Sequence, residues 1–169
     1  MGCFLRRTAV LITAFFSLAV GAAADSTLYL VRHAEKESDG TRDPSLTAQG
    51  QVRALEIANL LGNEKLLKVF STDYKRTQET AVPTAKRMGV NVTPYDPRAL
   101  AAFAETLKTA DETVLVVGHS NTTPYLASLL SGKEFPALEE HQYDHMYVIL
   151  LADDGTVTAR IDYISPHTH

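Results

Sequence analysis

Two short apolar runs, Leu28-Tyr29-Leu30-Val31 and Val114-Leu115-Val116-Val117, constrain this chain more than any other feature. Both are rich in strand-forming residues. The first ends abruptly at Arg32-His33 and the second at Gly118-His119-Ser120. Runs of this length, bounded by polar residues, read as strands buried on both faces, which are characteristic of mostly parallel sheets covered by helices.

The intervening segments fit that scheme. Residues 35–45 are polar, with Asp39-Gly40 and Asp43-Pro44 as turn signals, and read as a loop over the end of the first strand. Thr47 is a suitable N-cap for a helix running to about residue 61, with Ala54, Leu55, Ala58 and Leu61 as its apolar face and Gly62 just beyond. A strand over 68–71 leads into a helix over 74–88 closed by Gly89, in which Pro83 predicts a kink or an early stop. A strand over 90–95, interrupted by Pro94, is followed by a helix over 98–109 and the central strand over 113–117. Pro124 suits the first position of a helix ending near residue 130, before Gly132. Two final strands, 146–152 and 156–164, flank the turn Asp153-Asp154-Gly155 and should pair antiparallel. The expected fold is α/β: a three-layer α/β/α sandwich, with a mostly parallel sheet, helices on both faces and a C-terminal antiparallel hairpin.

Residues 1–24 stand apart from this pattern. Arg6 and Arg7 precede an uncharged run over 8–20, and Gly21-Ala22-Ala23-Ala24 supplies small residues of the kind found at a cleavage site. This reads as a secretory signal peptide cut near Ala24, since the apolar run is shorter than the roughly 20 residues that span a bilayer. The expected domain is then 25–169, periplasmic or secreted, with no membrane span after the leader is removed. The only cysteine, Cys3, falls in the leader, so the domain would carry no thiol, disulfide or cysteine metal site. Loss of Arg6 and Arg7 takes the formal charge from −4 to −6. An acidic domain without a basic run is a poor partner for nucleic acid, and any phosphate it binds must be gripped by a few placed cations.

Such cations lie at the strand ends. In a parallel sheet Arg32-His33, the segment Ser71-Thr72-Asp73-Tyr74-Lys75-Arg76 and Gly118-His119-Ser120 fall on one edge, where ligands of α/β sheets bind. Arg76 lies in the first turn of its helix and His119 just before another helix, where free N–H groups favour an anion. A neutral imidazole beside a guanidinium is a plausible nucleophile for phosphorus, because the adjacent positive charge disfavours imidazolium and the guanidinium can hold phosphate oxygens bidentately.

These segments resemble the histidine phosphatase superfamily, the phosphoglycerate mutase-like phosphatases. The resemblance rests on Arg32-His33-Ala34, the segment from Asp43 through Gly50, the segment from Ser71 through Ala81, and Gly118-His119-Ser120, all in the family's order. Arg-His-Ala-Glu-Lys with Gly-His-Ser-Asn-Thr-Thr-Pro is most similar to a small exported bacterial branch. The resemblance implies that His33 attacks phosphorus and becomes a transient phosphohistidine, that Arg32, Arg76 and His119, with Ser120, bind the phosphoryl group, and that no metal or other cofactor is required. The partner it implies is a phosphorylated substrate.

The family's general acid has no counterpart in Arg98-Ala99-Leu100-Ala101-Ala102-Phe103. Glu35 and Asp43 are the candidates, and a good leaving group would need less acid help. Ala34 replaces the family's usual glycine, a change expected to narrow the pocket, which has little chain available for a lid. His141 and His145 are spaced for a helical metal pair, but the strand expected from 146 argues against it; His167 and His169 read as tail residues. Two function classes remain open: a phosphohydrolase acting on a small phosphate ester, a phosphorylated envelope sugar or lipid head group, or a phosphoprotein; and a non-catalytic anion-binding module, possibly metal-binding, on the same fold.

Overall fold

The computed structural model describes residues 25–65, 68–109 and 112–165. The expected leader with Cys3, and the tail residues His167 and His169, lie outside the described residues.

Strand β1 (Ser26–Arg32) is central. Downstream, helix α1 (Ala48–Leu60), strand β2 (Lys68–Ser71), helix α2 (Lys75–Met88) and strand β3 (Val92–Pro94) alternate, followed by helix α3 (Leu100–Lys108), strand β4 (Val114–Gly118) and helix α4 (Thr122–Ser131). Strands β5 (His145–Leu151) and β6 (Val157–Tyr163) complete a six-stranded sheet in the order β3-β2-β4-β1-β5-β6. The first four in that order are mutually parallel, with Leu30 opposite Val116 and Phe70 opposite Val116 on its other side. Strand β5 runs antiparallel to β1, and β6 antiparallel to β5. This is the expected mostly parallel sandwich with a terminal hairpin.

Alternation along the central strands divides the core into two layers. Tyr29 and Val31 of β1, Leu115 and Val117 of β4, and Met146 and Val148 of β5 pack with Ile57 and Leu61 after and within α1 and with Ala81 and Ala85 of α2. Leu28, Leu30, Val114, Val116, Tyr147 and Ile149 pack on the opposite side with Leu100 and Leu107 of α3 and Leu126 and Leu130 of α4. Each fully buried aliphatic side chain contributes roughly 1.5–3 kcal/mol, so the two layers rather than helix propensity hold the helices in place.

Three local expectations change. In α1, Leu55 is 56% exposed and Ile57 is buried instead, together with the charged Arg53, which is 0% exposed. Helix α2 neither stops nor restarts at Pro83 but continues to a left-handed C-cap at Gly89, because Thr80, Ala81, Thr84 and Ala85 around it are buried against the sheet. That packing outweighs the one backbone hydrogen bond proline removes. Helix α4 starts two residues before Pro124, which falls in the first turn where N–H groups have no intrahelical partner in any case. Thr47 is the expected N-cap, accepting from the Gly50 N–H at 3.0 Å. Pro94 ends β3, at the edge of the sheet, where its missing donor is tolerated.

The polar segment after β1 is more ordered than a plain loop. Thr47 N–H donates to Glu35 O and Glu37 N–H to Ser45 O, each at 2.9 Å, and Lys36 bridges Leu46 antiparallel. The segment over 36–46 is therefore a closed loop pinned at its base, standing above the carboxyl end of β1. Among the described residues no helix is long and apolar enough to cross a membrane.

Candidate active site

The carboxyl ends of β1, β2 and β4 converge as the parallel order requires. His33 N–H donates to Gly118 O at 2.9 Å, tying the ends of β1 and β4 together. A cavity of about 470 Å³ opens here, lined by Arg32, His33, Arg76, His119 and Ser120, with Glu140 at its rim.

His33 is held in one protonation state. Its Nδ1 lies 2.8 Å from Ala34 O, and a carbonyl only accepts, so Nδ1 carries the proton and Nε2 keeps its lone pair. Burial pushes the imidazole down to about 3, with Arg32, His119 and Arg76 adding to the effect and the Ala34 hydrogen bond opposing it. His119 stands edge-on to His33, ring centres 5.6 Å apart, and hydrogen-bonds Thr72 Oγ1 through Nε2 at 2.9 Å. Burial, then Arg76 and Arg32, lowers His119 to about 4. Both rings are neutral at physiological pH, so the positive charge at the site belongs to its arginines and Lys36, not to imidazole.

Arg32 is 2% exposed and faces Tyr143, its guanidinium carbon 4.1 Å from the ring centre. One terminal nitrogen donates to Glu139 O, Glu140 O and Gln142 O at 2.8–3.1 Å, and the other to Glu140 Oε2 at 3.2 Å. Arg76 lies over Tyr74 at 4.4 Å and 3.6 Å from Asp43 Oδ1. The buried Nε–H groups of both arginines have no acceptor. A buried donor without an acceptor is costly, and two beside one cavity are an invitation to an anion.

Six of the seven sequence candidates thus gather around the cavity or its wall, and one turns away. Arg32, His33, Arg76, His119 and Ser120 line it. Asp43 lies behind Arg76, with Oδ1 accepting from Lys75 N–H at 2.9 Å at the start of α2. Glu35 faces α1 and forms a two-oxygen pair with Arg53, at 2.7–3.1 Å. Ala34 does not narrow the cavity: it is fully buried against Leu46 and Ala54 on the core side. His145 opens β5, its Nδ1 3.0 Å from Asp144 Oδ1, while His141 is exposed in the preceding turn, so the two do not share a helix face. Gly118 is required locally, since a Cβ there would meet Thr123 Oγ1 and Tyr95 Oη at 2.7 and 2.8 Å.

Sequence reasoning missed Thr72, Glu140 and Tyr143. Thr72 lies within the Ser71–Arg76 segment, and its position one residue past a strand end was the available signal. The other two come from the coil between α4 and β5, which reaches the site because Leu138 N–H donates to Ser120 O at 2.8 Å, a contact with no local sequence signal.

Fold and site define an α/β protein with a cationic pocket at the carboxyl ends of its parallel strands, presenting a neutral histidine. Residues 28–97 match the model of the histidine phosphatase superfamily (branch 1). Among curated proteins it is similar to the probable phosphoglycerate mutase GpmB of Escherichia fergusonii, 34% identical over 77 residues, covering 42% of this chain and 35% of that one. The Salmonella choleraesuis protein of the same name is 32% identical over the same coverage. The match spans about a third of the length of these relatives. Among solved structures the chain is similar to the protein histidine phosphatase SixA complexed with tungstate, with TM-score 0.67 and 19% identity over 82% of this chain and 96% of that one. It is also similar to a mycobacterial glucosyl-3-phosphoglycerate phosphatase, with TM-score 0.63 and 15% identity over 83% and 98%. At these identities the likeness is one of fold.

Proposed function

We propose that this protein is a phosphohydrolase that works through a phosphohistidine on His33. The observation that carries the reading is His33 itself: a neutral ring with Nδ1 occupied and Nε2 available, beside two arginines whose buried Nε–H groups lack acceptors. Nε2 attacks phosphorus as the P–O bond to the leaving group breaks, and the leaving oxygen takes a proton. Water then attacks the phosphohistidine, the P–N bond breaks, and phosphate leaves with His33 neutral again. Arg32, Arg76 and His119 hold the transferring oxygens, and the arginines supply the positive charge with no metal in the scheme. Glu35 pairs with Arg53 and Asp43 accepts from Lys75 N–H, which leaves Glu140 on the cavity rim as the carboxylate of the lining; it must part from Arg32, 3.2 Å away, and take up a proton before it can protonate a poor leaving oxygen. A phosphorylated small molecule, an envelope sugar or lipid head group, or a phosphoprotein is the substrate class, and reading residues 1–24 as a secretory leader supports a reaction outside the cytosol.

Trapping tests this reading. The protein is offered a reactive phosphoryl donor, quenched in alkali because phosphohistidine is acid-labile, and mapped by mass spectrometry. Phosphate on His33 that turns over, and is lost in His33→Ala, is expected; Arg76→Ala should weaken both turnover and phosphate binding. An active His33→Ala protein would overturn the assignment. Phosphate binding without labelling would favour the other class, an anion-binding module: such a module needs the arginines, but not a histidine kept neutral beside them.

A further inference from the structure

The hydrogen-bond chain behind His119 can run in one direction only. Thr77 Oγ1 lies 2.9 Å from both Thr72 O and Tyr74 O, and carbonyls only accept, so the Thr77 hydroxyl hydrogen is spent on them. The 3.0 Å contact between Thr72 Oγ1 and Thr77 Oγ1 must then use the Thr72 hydrogen. Nothing remains on Thr72 to donate to the imidazole, so the 2.9 Å contact with His119 Nε2 is made by an Nε2–H. Both threonines are fully buried, and solvent offers them no other partner. His119 is therefore held in the tautomer opposite to that of His33, whose proton is on Nδ1.

The consequence falls on the cavity side. His119 lines the pocket, and among the described residues its Nδ1 has no hydrogen-bond partner. Both histidines thus present a lone pair, not an N–H, to an incoming anion. For His33 that is what attack on phosphorus requires, but for His119 an acceptor nitrogen facing an anionic oxygen is repulsive. The surrounding charges do not relieve this. Arg32 lies 3.2 Å from Glu140 Oε2, Arg76 lies 3.6 Å from Asp43 Oδ1, and Arg98 is taken by Asp96 at 3.1 Å. Lys36 is the cation of the lining without a carboxylate partner among the described residues. Tyr74 and His33, edge-on to His119 at 5.3 and 5.6 Å, are its other titratable neighbours.

We propose that the pocket takes up its anion together with one proton, which lodges between His119 Nδ1 and an anion oxygen, and that Thr72 and Thr77 are positioning residues that impose this coupling by fixing the tautomer. The proton comes from solvent when the ligand is a full dianion and arrives on the ligand when it is a monoanion. The substrate is then a phosphoryl compound bound in its monoanionic form. Burial and the neighbouring guanidinium groups keep the free ring down at about 4, so the proton is absent until the anion arrives. The coupling rests on the anion pocket of the phosphohydrolase reading and not on the phosphohistidine step.

Sulfate is the probe, because it carries no proton of its own near neutrality. Calorimetry on the full chain, in buffers of different ionisation enthalpy at about pH 6, should show uptake of about one proton per sulfate bound, and affinity should fall about tenfold per pH unit from about pH 5 to 6.5. Thr72→Val removes the acceptor of Nε2–H, and Thr77→Val turns the Thr72 hydrogen onto Nε2, so each lets Nδ1 carry the hydrogen. Each should cut uptake below about 0.3 proton, while Thr72→Ser keeps it near one. Long-range proton–nitrogen NMR of the free proteins should find His119 protonated at Nε2 in the natural chain and at Nδ1 in Thr77→Val, a switch that loosened packing alone does not produce. Uptake below about 0.3 proton in the natural protein, or uptake that survives both valine variants, would overturn the coupling while leaving the trapping result untouched. If sulfate does not bind, the anion pocket is wrong and the coupling falls with it.

Discussion

His33 and His119 sit beside two guanidinium groups and under the protein surface, and both effects favour the uncharged ring. His33, the proposed nucleophile, is therefore uncharged across the physiological range instead of being switched on near neutrality. In a proton NMR titration the ring resonances of both residues should stay flat from about pH 5 to 8, where an ordinary histidine would titrate near 6.5. Tungstate or phosphate in the cavity brings negative charge to the rings and should draw the His119 titration upward. A His33 resonance that titrates near neutrality in the free protein would contradict the burial and charge described above. Glu140 has a different signature. Glu140→Gln should lower kcat/KM for an alkyl phosphate by about a hundredfold, the usual scale of general-acid help, while changing turnover of p-nitrophenyl phosphate by less than about threefold. Equal losses on the two substrates would instead make Glu140 a residue that merely positions Arg32.

Between α1 and the loop beyond β1, the buried Arg53 and Glu35 act as a staple, with Arg53 also donating to Ile164 O at 3.2 Å. Removing one partner leaves a buried charge unpaired, so Glu35→Gln should cost about 3 kcal/mol in urea unfolding. If the variant, still folded, keeps its turnover number, Glu35 is structural; a selective loss on poor leaving groups would restore it as an acid. Gly50 belongs to the same joint: a Cβ there would collide with Glu35 O, and Gly50→Ala should destabilise by roughly 2 kcal/mol. This joint also marks where the sequence stopped being legible. The strands, their parallel order and the basic residues at their ends could be read because period-two burial and strand-end chemistry are written locally. Leu55 and Arg53 could not be assigned to their faces, since a buried arginine is explained only by a carboxylate 18 positions away. The early stop at Pro83 does not occur because the packing that carries α2 past it is tertiary, and Glu140 was invisible because a coil far along the chain delivers it.

Across the whole molecule the neutral histidines tie acid stability to the site. Each is held below its ordinary value in the folded protein, so between pH 6.5 and the folded values of about 3 and about 4 the unfolded chain binds protons that the native state refuses. Stability is therefore present in full above about pH 6.5 and is lost as pH falls through that window. For His33, which is buried, the loss between pH 6.5 and 5 is on the order of 2 kcal/mol, at 1.36 kcal/mol per unit of pH. Most carboxylates are still ionised at pH 5, so the effect can be separated from general acid denaturation. Urea midpoints at pH 7 and pH 5 should diverge in the natural protein and converge in a His33→Gln, His119→Gln double variant, which has no imidazole at the site to protonate. Saturating phosphate should narrow the gap in the natural protein as well, because an anion between the arginines stabilises the protonated rings. A double variant with the same pH dependence as its parent would mean that the acid-sensitive groups lie outside this pocket, and that the pocket does not keep its histidines neutral at a cost to the fold.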